Sequence, residues 1–73
     1  MDIKITVGKR VKELRYKLGI SQEELADDAQ LDRTYITSVE RGKRNISIVN
    51  VEKIAKALQV SLAEFFTFSE EDI

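Results

Sequence analysis

Only two residues, Gln30 and Leu31, separate the end of one helix-forming stretch from the start of the next, and this spacing constrains the chain more than any other feature. Ser21 followed three residues later by Glu24 is a capping-box pattern that starts a helix at Gln22 and carries it to about Ala29. Asp32 stands where it can cap a second helix that runs to Arg41. Residues 22–41, QEELADDAQLDRTYITSVER, therefore read as two short helices joined by a tight turn, and the rest of the chain reads as support for that unit.

The second helix has two unlike sides. At about 100° per residue with Arg33 at zero, Ile36 and Val39 fall near 300° and 240°, a narrow apolar stripe that must pack. Thr37, Arg41, Thr34 and Ser38 fall between about 40° and 140°, with Arg33 at the edge, so the opposite side is small hydroxyls and guanidinium groups. Alone, such a side is most simply a solvated helix face. Beside a tight turn it suits a groove: hydroxyls reach base edges or phosphates, and an Arg presents two parallel donors to guanine. Capping by Asp32 places Arg33, Thr34 and Tyr35 in the first turn, where free N–H groups and the positive dipole end attract phosphate.

These residues carry a resemblance. Gln22, Ala26, Ile36 and Val39 occupy the first, fifth, fifteenth and eighteenth places of a helix-turn-helix, and LGISQEELA with YITSVERGKRN resembles the phage-repressor-like family of bacterial regulators. Within it, DRTYITSVERGKRNISIVNVEKIAKAL is most similar to the controller proteins of restriction-modification systems, small dimeric regulators of their own gene and of the endonuclease gene. The resemblance covers residues 7–66 and implies an all-α, five-helix domain of the lambda-repressor type spanning the whole chain, with dimerisation through about residues 48–68. One place departs from the pattern: the ninth, usually a left-handed Gly, is Gln30, which costs about 1–2 kcal/mol if that conformation is kept.

Seventy-three residues make one small domain, near the lower limit for a core without staples, so a partner subunit would help. The chain has no Cys and no His, which removes disulfides, thiolate metal sites and the commonest general base, and no Ser has a basic partner at a motif spacing. No catalytic residue, metal ligand or cofactor is expected. Glu23, Glu24, Asp27 and Asp28 lack a calcium-loop Gly or an apolar pocket, so they read as a solvated face. No membrane span or signal peptide is apparent, and the expected location is the cytoplasm. The net charge of −1 divides unevenly. Residues 1–44 hold ten Lys and Arg against eight Asp and Glu, a net of +2, while residues 45–73 hold two against five, a net of −3. That asymmetry is expected if only one side meets phosphate.

Along the chain, residues 1–6 read as a short lead, frayed or packed on a neighbour. Val7, Val11, Leu14 and Leu18 step by four, three and four as an amphipathic helix that Gly19 ends in a left-handed conformation. Lys9, Arg10, Lys12, Arg15 and Lys17 resemble a basic patch, although Lys9, Lys12 and Lys17 read better as solvated. The resemblance implies that Arg15 and Glu40 form a partly buried ion pair, whose role would be geometry more than net stability. Leu25, Ala26 and Ala29 face the core. Gln22 is either part of a helix cap or, as the resemblance implies, a brace on the phosphate backbone. Tyr35 flanks the core stripe with its hydroxyl free to reach a phosphate. Arg33 is the foremost candidate for base reading, and Arg41 for a phosphate, a base or the helix dipole. Lys43, Arg44 and Asn45 follow Gly42, which ends the helix, and read as a loop reaching phosphate or the minor groove.

Ser47 caps a fourth helix to about Gln59, with Ile48, Val51, Ile54, Ala55 and Leu58 on its core stripe and Val49 off it. Ser61 with Glu64 is a second capping box for a fifth helix carrying Leu62, Phe65 and Phe66. With Phe68 beyond, the apolar surface exceeds what short helices need, which suggests a partner face; the resemblance implies a twofold dimer through the fourth and fifth helices, with Val49, Phe66 and Phe68 assigned to its interface. The competing reading fills the core with all three Phe. Residues 69–73, short and acidic, read as a loose end. The expected partner is double-stranded DNA carrying a pseudo-palindromic operator, with room for two dimers side by side, and no small-molecule ligand. A plain phage-type or chromosomal repressor, an antitoxin, and an interaction module that has left DNA are the other readings.

Overall fold

The structure is a computed structural model that describes residues 1–68. Its helices are α1 (Ile3–Leu18), α2 (Gln22–Ala29), α3 (Arg33–Glu40), α4 (Ile48–Ala57) and α5 (Leu62–Phe65). Packing runs α1 on α3, α2 on α3 and on α4, and α4 on α5. The core is where these contacts meet: Val11, Leu25, Ile36, Ile54 and Phe65 are its fully enclosed side chains, with Ala26, Ala29, Val39, Val51, Ala55 and Leu58 around them. The Ala residues on α2 let α3 and α4 approach closely, which a short helix needs in order to bury its stripe on two neighbours.

Helix starts follow local chemistry. Ser21 accepts from the Glu24 N–H while the Glu24 side chain accepts from the Ser21 N–H, each at 3.0 Å, so the capping box is complete. Ser47 and Ser61 accept from the N–H of Asn50 and Glu64. The ends of α1 to α4 share one device. Gly19, Gln30, Gly42 and Gln59 all lie in the left-handed region, with φ of 77°, 58°, 73° and 63°. After each, the next residue's N–H reaches back to the carbonyl five places earlier, as Leu31 does to Ala26 at 2.9 Å and Val60 to Ala55 at 3.1 Å. The turn between α2 and α3 therefore keeps the left-handed residue although it is Gln. Gln30→Gly should remove that strain and raise stability by about 1 kcal/mol. A urea melt in which this variant is no more stable than the parent would count against strain at this residue.

Several expectations need correction. α1 begins at Ile3 and not near Val7, because Asp2 caps it, its carboxylate accepting from the Lys4 N–H at 3.0 Å. Asp32 sits at the start of α3 in extended backbone, but its side chain makes no cap hydrogen bond. Ser61 and Glu64 form only half of a capping box, the serine accepting. α4 stops at Ala57, since Gln59 is the left-handed residue. Ile48, assigned to the core stripe, is 67% exposed. As the first residue of α4 it lies on the rim of an open cavity with Ile3, Arg44 and Phe66, away from the part of α4 that packs inward. The expectation for residues 69–73 lies outside the described residues.

Candidate nucleic-acid interface

The inward side of α3 is locked. Glu40 accepts from Arg15 Nε at 2.7 Å and Arg15 Nη2 at 3.0 Å, a two-pronged pair between α1 and α3, with side-chain exposures of 9% for Arg15 and 3% for Glu40. Arg15 Nη1 donates to the Ile20 carbonyl at 3.0 Å, and the Tyr16 ring lies 4.8 Å from the guanidinium carbon. The hydrogen bond to Glu40 raises the Arg15 pKa above its already high ordinary value, with burial opposing, so the group stays charged.

Gln22 extends this lock to α2. Its Nε2 donates to Glu40 Oε1 at 3.0 Å, and its Oε1 accepts from the Thr37 hydroxyl at 2.9 Å. A carboxylate only accepts, so the amide must turn its NH2 toward Glu40 and its oxygen toward Thr37. The Thr37 hydroxyl also lies 3.0 Å from the Arg33 carbonyl. Thr37 and Gln22 are thus half-buried bracing groups between α2 and α3, and Thr37 is not the fully free surface group that the helical wheel alone suggests. Their engagement fixes the rotation of α3 relative to α2, and so decides which residues face outward.

The outward side carries Arg33, Thr34 and Arg41, and the following loop adds Lys43, Arg44 and Asn45, all exposed; Ser38 is half-buried beside them. Among the described residues Arg33, Arg41 and Lys43 have no acidic partner. Tyr35 is half-buried against the core, and its hydroxyl accepts from Asn50 Nδ2 on α4 at 3.1 Å. The Arg44 guanidinium carbon lies 5.1 Å from the centre of the Tyr35 ring. Asn50 was not singled out by sequence; its side-chain partner is fifteen residues away, and nothing in local periodicity marks it. Arg10, grouped above with a basic patch, is spent elsewhere: its Nε donates to the Phe65 carbonyl at 2.9 Å and its Nη2 to the Glu64 carbonyl at 2.6 Å, closing the end of α5. Gly8 was also missed, and it lies where α1 crosses the last turn of α3.

The braced two-helix unit lies within a stretch that known proteins share. A helix-turn-helix family model matches residues 11–65. The control protein C.MunI of a Mycoplasma species is 49% identical over 72 residues, covering 97% of each chain. The chain belongs to the helix-turn-helix controller proteins. The crystal structure of the restriction-modification controller protein C.AhdI from Aeromonas hydrophila superposes with a TM-score of 0.86 at 45% identity, covering 90% of this chain and all of that one. The C.Esp1396I controller, solved as a tetramer with its natural 35 base-pair operator, matches with a TM-score of 0.82 at 43% identity over 86% of this chain and 83% of that one. Among the described residues of this controller, no helix is long and apolar enough to cross a membrane.

On α4 and at the end of α5, apolar groups remain open to solvent. Val49 is 58% exposed and Phe66 41%, whereas Phe65 is fully enclosed and Phe68 half-buried on the core. The three Phe rings meet edge to face, with centroids 5.1 Å apart for Phe65 and Phe66 and 6.0 Å for Phe66 and Phe68. The core therefore takes one Phe completely and leaves the second half outside.

Proposed function

We propose that this controller is a homodimeric, sequence-specific regulator of transcription that binds a pseudo-palindromic operator in its own promoter region. Two copies of α3 enter successive major grooves about 34 Å apart. The observation that carries this reading is the outward face of α3, where Arg33, Thr34 and Arg41 stand exposed while the opposite side is braced by the Arg15–Glu40 pair. Arg33 reads a base; Gln22, Thr34, Tyr35, Thr37, Ser38, Arg41, Lys43, Arg44 and Asn45 position the duplex through its backbone and neighbouring edges. Val49 and Phe66, with Phe68 at their edge, form the dimer contact, since the exposed apolar groups Val49 and Phe66 on so small a chain are best buried by a twofold mate. The operator complex of the C.Esp1396I tetramer supports two dimers side by side. The protein works in the cytoplasm by occupancy and not by catalysis: upstream of a promoter it recruits polymerase, and across the promoter it blocks it. A promoter fusion that this protein neither activates nor represses would remove that part of the reading.

The site assignment is tested by footprinting and titration on the protein's own upstream DNA at several salt concentrations. Arg33→Ala should lose about 1–3 kcal/mol of affinity and relax base preference. Arg44→Ala should weaken binding more evenly across sequences and reduce the salt slope by about one. If both variants bind like the parent, the face is misassigned.

A further inference from the structure

The Tyr35 hydroxyl accepts a hydrogen bond from Asn50, and this settles what it can still do. A phenol has one proton to give and two lone pairs. Asn50 Nδ2 occupies a lone pair at 3.1 Å, and no group among the described residues takes the phenol proton. The hydroxyl is thereby presented as a donor. A donor that must find its acceptor outside the chain, beside a guanidinium, matches a phosphate oxygen.

Asn50 lies on α4, Tyr35 in the first turn of α3, and Arg44 in the loop that joins the two helices. Arg44 stands over the Tyr35 ring, has no carboxylate partner among the described residues, and is exposed. Stacking on a ring restrains the plane of the guanidinium while leaving its N–H groups to point sideways. One ring thus carries both donors: the hydroxyl at its edge, aimed by Asn50, and the guanidinium on its face. We infer that Asn50 is the positioning residue of a phosphodiester clamp formed by Tyr35 and Arg44, holding the ring on which both donors depend. This rests on the DNA-binding reading above and adds to it a residue on the helix that supports α3. Asn50 itself needs no contact with DNA. Its effect reaches the duplex through the tyrosine, so the energies of Asn50, Tyr35 and Arg44 should couple instead of adding.

The test uses the full chain and a duplex from its own upstream region. Parent, Asn50→Ala, Tyr35→Phe, Arg44→Ala and the pairwise doubles are titrated across a salt series, with a thermal melt of each free protein. Losing a hydrogen bond to a charged oxygen corresponds to about tenfold in affinity, and Asn50→Ala and Tyr35→Phe should each show a loss of about that size. The Asn50→Ala, Tyr35→Phe double should lose no more than about the larger single. Asn50→Ala should also flatten the salt slope toward that of Arg44→Ala, and adding Arg44→Ala should then change the slope little, a signature that a purely structural role for Asn50 does not produce. Asn50→Asp, which offers an acceptor in place of the donor, should bind worse than Asn50→Ala, because it captures the phenol proton and adds negative charge.

Additive losses, or an Asn50→Ala variant that melts earlier yet keeps the parent's affinity and slope, would overturn the clamp while leaving the DNA-binding reading intact. A parent that does not bind its upstream duplex would overturn both.

Discussion

Glu40→Ala is expected to unfold the protein or bring it to the edge of unfolding at room temperature. The substitution removes the acceptor of three hydrogen bonds, two from Arg15 and one from Gln22, in a place where the Arg15 side chain is only 9% exposed. Arg15 would keep its charge and its hydrogen bond to the Ile20 carbonyl, while the two prongs that met Glu40 lose their acceptor. Stripping one partner from a buried pair costs about 3–5 kcal/mol. A chain of 73 residues has about 4–11 kcal/mol in all. The pair itself contributes far less than its removal costs, because both charges had to leave water to form it. Replacing both partners, as in Arg15→Met with Glu40→Leu, should therefore recover most of the loss, while Gln22 loses its anchor and α3 its fixed rotation. Urea melts of the two singles and the double form the cycle. A Glu40→Ala protein within about 1 kcal/mol of the parent would show that the pair does not hold α1 to α3.

The second large effect is expected at Gly8, where adding a single methyl group should cost about 3 kcal/mol. A Cβ there would lie 2.9 Å from the Glu40 carbonyl oxygen and closer still to that of Val39. Both obstacles are backbone, so no rotamer relieves them; α3 would have to lift from α1, opening the Val39 contact and stretching the Arg15–Glu40 pair. Helix propensity alone predicts the opposite sign, a gain of about 1 kcal/mol for Gly to Ala within a helix. The direction of the shift in a urea melt thus decides between the two. Stabilisation by Gly8→Ala would mean that α1 and α3 do not cross as closely as described. Gly19→Ala is a useful contrast, since nothing lies within 4 Å of its would-be Cβ and only its left-handed φ of 77° resists substitution.

Gly8 and Ile48 show where reading the sequence stops. A glycine inside an amphipathic helix looks like a weakness of propensity until the element packed against it is known, and that element lies some thirty residues downstream. Ile48 has the right spacing for the α4 stripe, but periodicity treats a helix as if neighbours covered its whole length, and the first residue of α4 is left at a cavity rim. Arg10 was grouped with a basic patch because nothing local shows that α5 ends beside it. Asp32 fell at the start of α3, yet position alone does not ensure that a side chain turns back to cap. By contrast Ser21, Glu24, Gly19 and Gly42 were legible, because each acts on residues within about one helical turn. Gln30 keeps the left-handed turn despite its side chain, as the backbone bonds of Leu31 and the packing on either side outweigh a local preference.

From its order of residues alone, this protein declares four helix starts, two glycine stops, the two-residue turn and the apolar stripes of α2 and α3, since capping and the 3.6-residue period act over a few neighbouring peptides. Tertiary structure alone decided that Glu40 joins Arg15 to Gln22, that Gly8 admits the end of α3, and that Asn50 holds Tyr35. Those partners lie fifteen or more residues apart, and their meeting depends on how whole helices lie across one another, which no short window of sequence contains.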